Sequence, residues 1–140
     1  MGYLAELSVL RELAGPAPNP GVQRWADRIS RLAISAITLE EIASWLGSNP
    51  EPLVLEWLEV LLADHVEVLP VTAPIARRSG QLRASSTGGL RTRSTALIAA
   101  TAIEHGLTLV TRNPRAFDGC GVAVLDPFAS PRSASPPQEH

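Results

Sequence analysis

The residues of this sequence best placed to do chemistry stand just after short apolar runs. Glu6 follows Tyr3-Leu4-Ala5, Glu41 lies shortly after Leu32-Ala33-Ile34-Ser35, and Thr111-Arg112-Asn113 follows a run ending in Val110. Arg112 and Arg115 carry the planar fork that suits two-pronged contact with phosphate. Each candidate also has an ordinary structural reading. Glu6 reads as a solvated acid. Glu41 sits three residues after Thr38, the spacing of a capping box at a helix start. Thr95 fits a helix cap or first turn, and Asn113 before Pro114 fits a turn. Arg77, Arg78, Arg83, Arg91 and Arg93 cluster along the chain and could track a nucleic-acid backbone, yet most read as solvated charges. His65, His105 and His140 lack metal spacing, and the single Cys120 can form neither an internal disulfide nor a zinc cluster. Gly88-Gly89 is a lone pair outside a strand–helix turn, so no phosphate loop of the dinucleotide-binding type is present.

The elements that must position these residues alternate. Tyr3-Leu4-Ala5 predicts a strand that runs into a helix over 7–13, where Val9, Leu10 and Leu13 recur at helical spacing. Gly15-Pro16-Ala17-Pro18 breaks the chain. Asn19-Pro20 then supplies a cap and a first-turn proline for a helix with Val22, Trp25, Ala26 and Ile29 on one stripe. A strand over 32–35 leads to a helix capped by Thr38 and ending near Gly47. The leucines of 52–64 predict another helix, with more apolar residues than one buried face needs. A strand over 66–71, a helix over 72–84, a loop over 85–89 and an Ala-rich helix over 92–105 closed by Gly106 follow. A strand over 107–110, a helical turn over 114–117 and a last strand over 122–125 complete the set. Alternation of this kind predicts an α/β fold with a mostly parallel sheet covered on both faces. Such sheets carry their sites at the carboxyl ends of strands, where the residues named above fall.

The composition agrees. The chain has 140 residues, 45% hydrophobic and 19% charged, enough for one domain. No apolar run reaches the roughly 20 residues of a membrane span. The N-terminus lacks the basic flank and cleavage site of a signal peptide, so a reducing cytoplasm is the expected setting. All 12 basic residues are Arg, and they are unevenly spread: residues 1–69 hold four against ten acids, residues 70–140 eight against four. That asymmetry hints at an acidic site and a nucleic-acid surface on one molecule. The polar, proline-rich residues 129–140 predict a disordered tail after a domain over 1–128.

Several segments resemble the PIN-domain nucleases, and among them the VapC-type toxins of bacterial toxin–antitoxin pairs. Glu6-Leu7-Ser8-Val9-Leu10-Arg11-Glu12-Leu13 is similar to that family's opening Asp-Thr-Asn-Val-Leu-Ser-Glu-Leu. Pro18-Asn19-Pro20-Gly21-Val22 and Trp25 look like the segment that follows. LAISAITLEEI at 32–42, VLPVTAPIARRSGQLR at 68–83 and ALIAATAIEHGLTLVTRN at 96–113 are similar to its later blocks. Residues 121–128 resemble its closing strand and Leu-Asp-Pro-aromatic end. The likeness covers nearly all of residues 3–128.

The resemblance implies a three-layer α/β/α sandwich and a metal-dependent endoribonuclease, with Mg²⁺ or Mn²⁺ as cofactor. It also implies a cognate antitoxin, an RNA substrate, a homodimer and no membrane partner. Its catalytic residues would be Glu6, Glu41 and Asn113, with Glu6 and Glu41 as metal ligands. Ser8, Thr95, Arg112 and Arg115 would meet the substrate. Three departures stand out. The first acid is Glu6 instead of Asp, Ser8 replaces the Asn beside it, and the third acid, normally Asp, is Thr95. A PIN domain that keeps its binding surfaces but has weakened or lost catalysis is therefore the alternative expectation.

Overall fold

The computed structural model describes residues 2–86 and 91–128. The expected tail at 129–140 and most of the expected loop at 85–89 lie outside them. Five strands form one sheet: β1 (Tyr3–Ala5), β2 (Leu32–Ser35), β3 (Val66–Leu69), β4 (Thr108–Val110) and β5 (Val124–Leu125). Their order is β3-β2-β1-β4-β5, and all four pairings are parallel. Among the described residues six helices connect them: α1 (Leu7–Ala14), α2 (Pro20–Arg28), α3 (Ala36–Ser48), α4 (Pro52–Asp64), α5 (Ala73–Ser85) and α6 (Arg93–His105). A 3-10 turn at Pro114–Phe117 lies between β4 and β5.

The short strands are apolar on both faces because each face is covered. Successive side chains of a strand point to opposite sides. Leu4, Ala33 and Leu109 join Ile98, Ala99 and Ala102 of α6 in one cluster. Their strand neighbours Ala5, Ile34 and Val110 join Val9, Leu10, Val22, Trp25, Ile42 and Leu58 from α1–α4 in the other. This is the expected three-layer sandwich. Full burial of a side chain such as Leu4 or Leu109, each 0% exposed, is worth about 1.5–3 kcal/mol.

Local signals set the element ends. The Asn19 side chain accepts from the Gly21 and Val22 amides at the start of α2, Thr72 caps α5, and Gly106 closes α6 at φ +64°. One expectation is corrected. Thr38 does not cap α3; the helix begins at Ala36, and Ser35 Oγ accepts from the Ile37 amide at 3.0 Å. Ser35 ends an extended strand with its hydroxyl free to cap, so the helix starts a turn earlier than the capping-box pattern indicates. Thr38 is buried within the first turn. Glu41 is thereby released from the reciprocal role of a capping-box acid.

Among the described residues no helix is long and apolar enough to cross a membrane. The surplus apolar residues of α4 are real: Leu53 is 81% and Val60 53% exposed.

Candidate active site

The chain runs outward from β1 through β2 to β3 on one side and continues with β4 and β5 on the other, so the order reverses at β1. That reversal leaves a crevice at the carboxyl ends of β1, β2 and β4. Glu6, Ser35 with the start of α3, and Thr111-Arg112-Asn113 all lie there.

Glu6 caps α1 and is the centre of a tight network. Its Oε1 accepts from Ser8 Oγ at 2.6 Å, from the Ser8 amide at 3.3 Å and from Thr111 Oγ1 at 3.0 Å. Its own amide donates to the Val110 carbonyl at 3.0 Å. The hydroxyls pass the ordering on: Ser8 Oγ accepts from the Arg112 amide at 3.1 Å, and Thr111 Oγ1 from the Asn113 amide at 3.0 Å. Thr111 is fully buried. Glu6 is thus a cap and a tie between β1, α1 and the loop after β4, not a solvated acid.

Glu41 lies on α3. Ser94 Oγ, at the start of α6, donates to its Oε2 at 2.9 Å. Its Oε1 is buried without a hydrogen-bond partner. Burial pushes the Glu41 carboxyl above the usual carboxylate range; the Ser94 bond pulls it back, and negative charge on Glu6 and then Glu40 raises it again. The effect of Glu6 on Glu41 marks the two acids as electrostatic neighbours.

The other expected site residues separate. Thr95 is in the first turn of α6, which Thr92 caps: its amide donates to Thr92 Oγ1 at 3.1 Å, and Thr92 Oγ1 donates to its hydroxyl at 3.0 Å. It stands next to Ser94 but brings no charge. Asn113 and Arg112 are exposed on the loop after β4, with Arg112 over the Phe128 ring at 4.6 Å. Arg115 is exposed on the 3-10 turn, and no side-chain contact ties it to the acids. Of the clustered arginines, Arg78 pairs with Glu104, and Arg91 donates to the Leu82 and Asp118 carbonyls at 2.8 and 2.7 Å. Those two serve the fold. Ser94 was not singled out by the sequence, and Thr111 was marked only by its place after a strand; their partners lie 53 and 105 residues away.

A hard divalent cation takes oxygen ligands, and Mg²⁺ is often held by one or two carboxylates completed by water and substrate phosphate. Among the described residues no three acidic, His or Cys side chains form a metal cage. A two-carboxylate arrangement does fit: Glu41 presents an uncommitted buried oxygen, and the network on Glu6 uses only Oε1.

Comparison with known proteins decides the family. The model of the PIN domain family matches residues 8–120. The chain belongs to the PIN domain family. Toxin FitB of Neisseria gonorrhoeae is 32% identical over 135 residues, covering 89% of this chain and 97% of the toxin. A VapC ribonuclease of Sinorhizobium fredii is 30% identical over 133 residues, covering 88% and 95%. Among solved structures, the crystal structure of FitAcB from Neisseria gonorrhoeae superposes with a TM-score of 0.77 at 27% identity, covering 91% of this PIN domain chain and 99% of that one.

Proposed function

We propose that this chain is a VapC-type toxin, a metal-dependent endoribonuclease that cleaves RNA phosphodiester bonds and is neutralised by a cognate antitoxin. The observation that carries the reading is the buried, unpartnered oxygen of Glu41 beside Glu6 in the crevice where the strand order reverses. Relatives named as a ribonuclease and a toxin support the reaction class. Glu6 and Glu41 would hold Mg²⁺ or Mn²⁺, and such an ion would supply activation of water and neutralisation of charge on the phosphate. Ser94 orients Glu41, Ser8 and Thr111 orient Glu6, and Asn113 and Arg112 line the approach from the loop after β4. Arg115 and Thr95 are the outer substrate contacts. The exposed apolar residues of α4 support a homodimer and an antitoxin contact.

The test is RNA cleavage by the purified protein in Mn²⁺ or Mg²⁺, beside Glu41→Gln. Cleavage lost in the variant sustains the proposal; equal cleavage by both proteins overturns it. Thr95 favours a second reading, a PIN-domain binding module with weakened or absent catalysis that keeps its antitoxin and RNA contacts. No cleavage until Thr95→Asp is made would establish that reading.

A further inference from the structure

Beside the acids lies an open depression of about 410 Å³ lined by Ser8, Arg11, Glu12, Trp45 and Arg112. Its volume is within the range of about 300–1,000 Å³ common for small-ligand sites. Ser8, Arg11 and Glu12 are three and four residues apart on α1 and so share a face, and Trp45 stands one helical turn beyond Glu41 on α3. The wall is continuous with the acid crevice, because Ser8 is also the donor to Glu6.

The Arg11 guanidinium lies over the Trp45 ring at 4.9 Å. Trp45 also lines an apolar groove with Leu7, Leu10 and Ile42, which anchors the ring. Arg112 is backed in the same manner by Phe128. Neither arginine is paired with a carboxylate among the described residues, where Arg78–Glu104 is the ion pair. The one acid in the wall is committed: Glu12 Oε2 accepts from the Asn19 amide at 2.8 Å. The depression therefore presents two cations without a carboxylate partner among the described residues, each set over an aromatic ring. A flat guanidinium is a stacking partner for the face of a nucleobase, and single-stranded RNA offers unstacked bases together with phosphates.

We infer that this depression is a nucleobase subsite, in which Arg11, seated over Trp45, stacks on a base of single-stranded RNA next to the cleaved phosphate, with Arg112 closing the opposite wall. This rests on the ribonuclease reading and adds to it the residues that would grip the substrate beside the bond.

The test is equilibrium binding of fluorescent single-stranded oligoribonucleotides to the full chain in EDTA, with Mn²⁺-dependent cleavage measured in parallel. Arg11→Ala is expected to weaken binding about five-fold or more, and Arg11→Lys, which keeps the charge but not the plane, is expected not to restore it. An abasic residue at one position of the oligonucleotide should weaken wild-type binding similarly and abolish the further effect of Arg11→Ala. Trp45→Leu, checked for folding by circular dichroism, should reproduce the loss. Rescue by Lys, or equal loss on intact and abasic RNA, would show a phosphate contact only and overturn the subsite. Unchanged affinity in an Arg11→Ala protein that still cleaves overturns the subsite and leaves the ribonuclease reading standing. If those variants instead loosen a co-expressed antitoxin, the depression belongs to that protein. Wild type that neither binds nor cleaves RNA overturns both.

Discussion

The two acids of the crevice live in opposite circumstances. One oxygen of Glu6 takes three donors, and the network around it joins the first strand, the first helix and the loop after β4. Glu41 receives one hydroxyl, from Ser94, and keeps a buried oxygen with no partner. A carboxylate whose hydrogen bonds tie elements together contributes to folding through those bonds; a half-buried one with a spare oxygen and a negative neighbour is a cost to folding. The difference teaches which acid serves which purpose. Glu6 serves the architecture, whereas Glu41 keeps an oxygen that the fold leaves uncommitted, which is why the proposal rests on it.

Breaking the contrast at Glu41 should have the largest effect. Glu41→Gln is expected to lower RNA cleavage by about 10²-fold or more. The same change should leave the metal-free protein slightly more stable, by about 0.5 kcal/mol after solvent screening, read as a small rise in Tm in EDTA. A fall in Tm would assign Glu41 to the fold. The sign with pH follows from its raised carboxyl. The folded protein binds this proton more tightly than the unfolded chain does. Glu41's contribution to stability is therefore complete below the ordinary carboxylate range and is lost as pH rises through the folded value.

Thr95→Asp sharpens the contrast from the other side by supplying the missing charge. It should tighten Mn²⁺ binding about ten-fold or more, since ligand charge sets affinity, as measured by calorimetry. Unchanged affinity would show that position 95 does not face the ion.

At Glu6 the effect should fall on stability. Thr111→Val removes a buried donor to Glu6 and the acceptor of the Asn113 amide, and should cost about 1–3 kcal/mol in denaturant unfolding. A change within error would show that the network is incidental. Ser94→Ala is the mildest. It should change stability by less than about 1 kcal/mol, while shifting the acid limb of the cleavage profile to higher pH, because the one interaction that lowers the Glu41 carboxyl is gone.

Much of the fold was legible because its signals are local. β1, β2 and α4 fall at the residues their apolar spacing indicates, and Asn19, Thr72 and Gly106 act at the ends where their chemistry puts them. Thr38 misled for a local reason too: Ser35 supplied a competing cap three residues earlier. The site was only half legible. Glu6 stands at a strand end, which alternation reveals, whereas Glu41 lies inside α3 and stood out from a capping acid only through the family resemblance. Ser94, and the bond from Thr111 to Glu6, were out of reach, because a hydroxyl's partner on another element leaves no trace in local periodicity. The role of Trp45 left a weak mark, its spacing of four from Glu41, which matters only once Arg11 is known to lie across it.

The tie between Glu6 and Thr111 also sets an order of events. It joins the first strand to one made more than a hundred residues later, and Tyr3 pairs with Thr108 in the same closure. Contacts so distant along the chain form late, after local helices have appeared. A chain still emerging from the ribosome can hold α1 and α3 yet has no Ser94 to fix Glu41 until α6 is made and no Thr111 to fix Glu6 until β4 is complete. The crevice is thus completed only once β4 pairs with β1, so the two acids are not both held until most of the chain has been made.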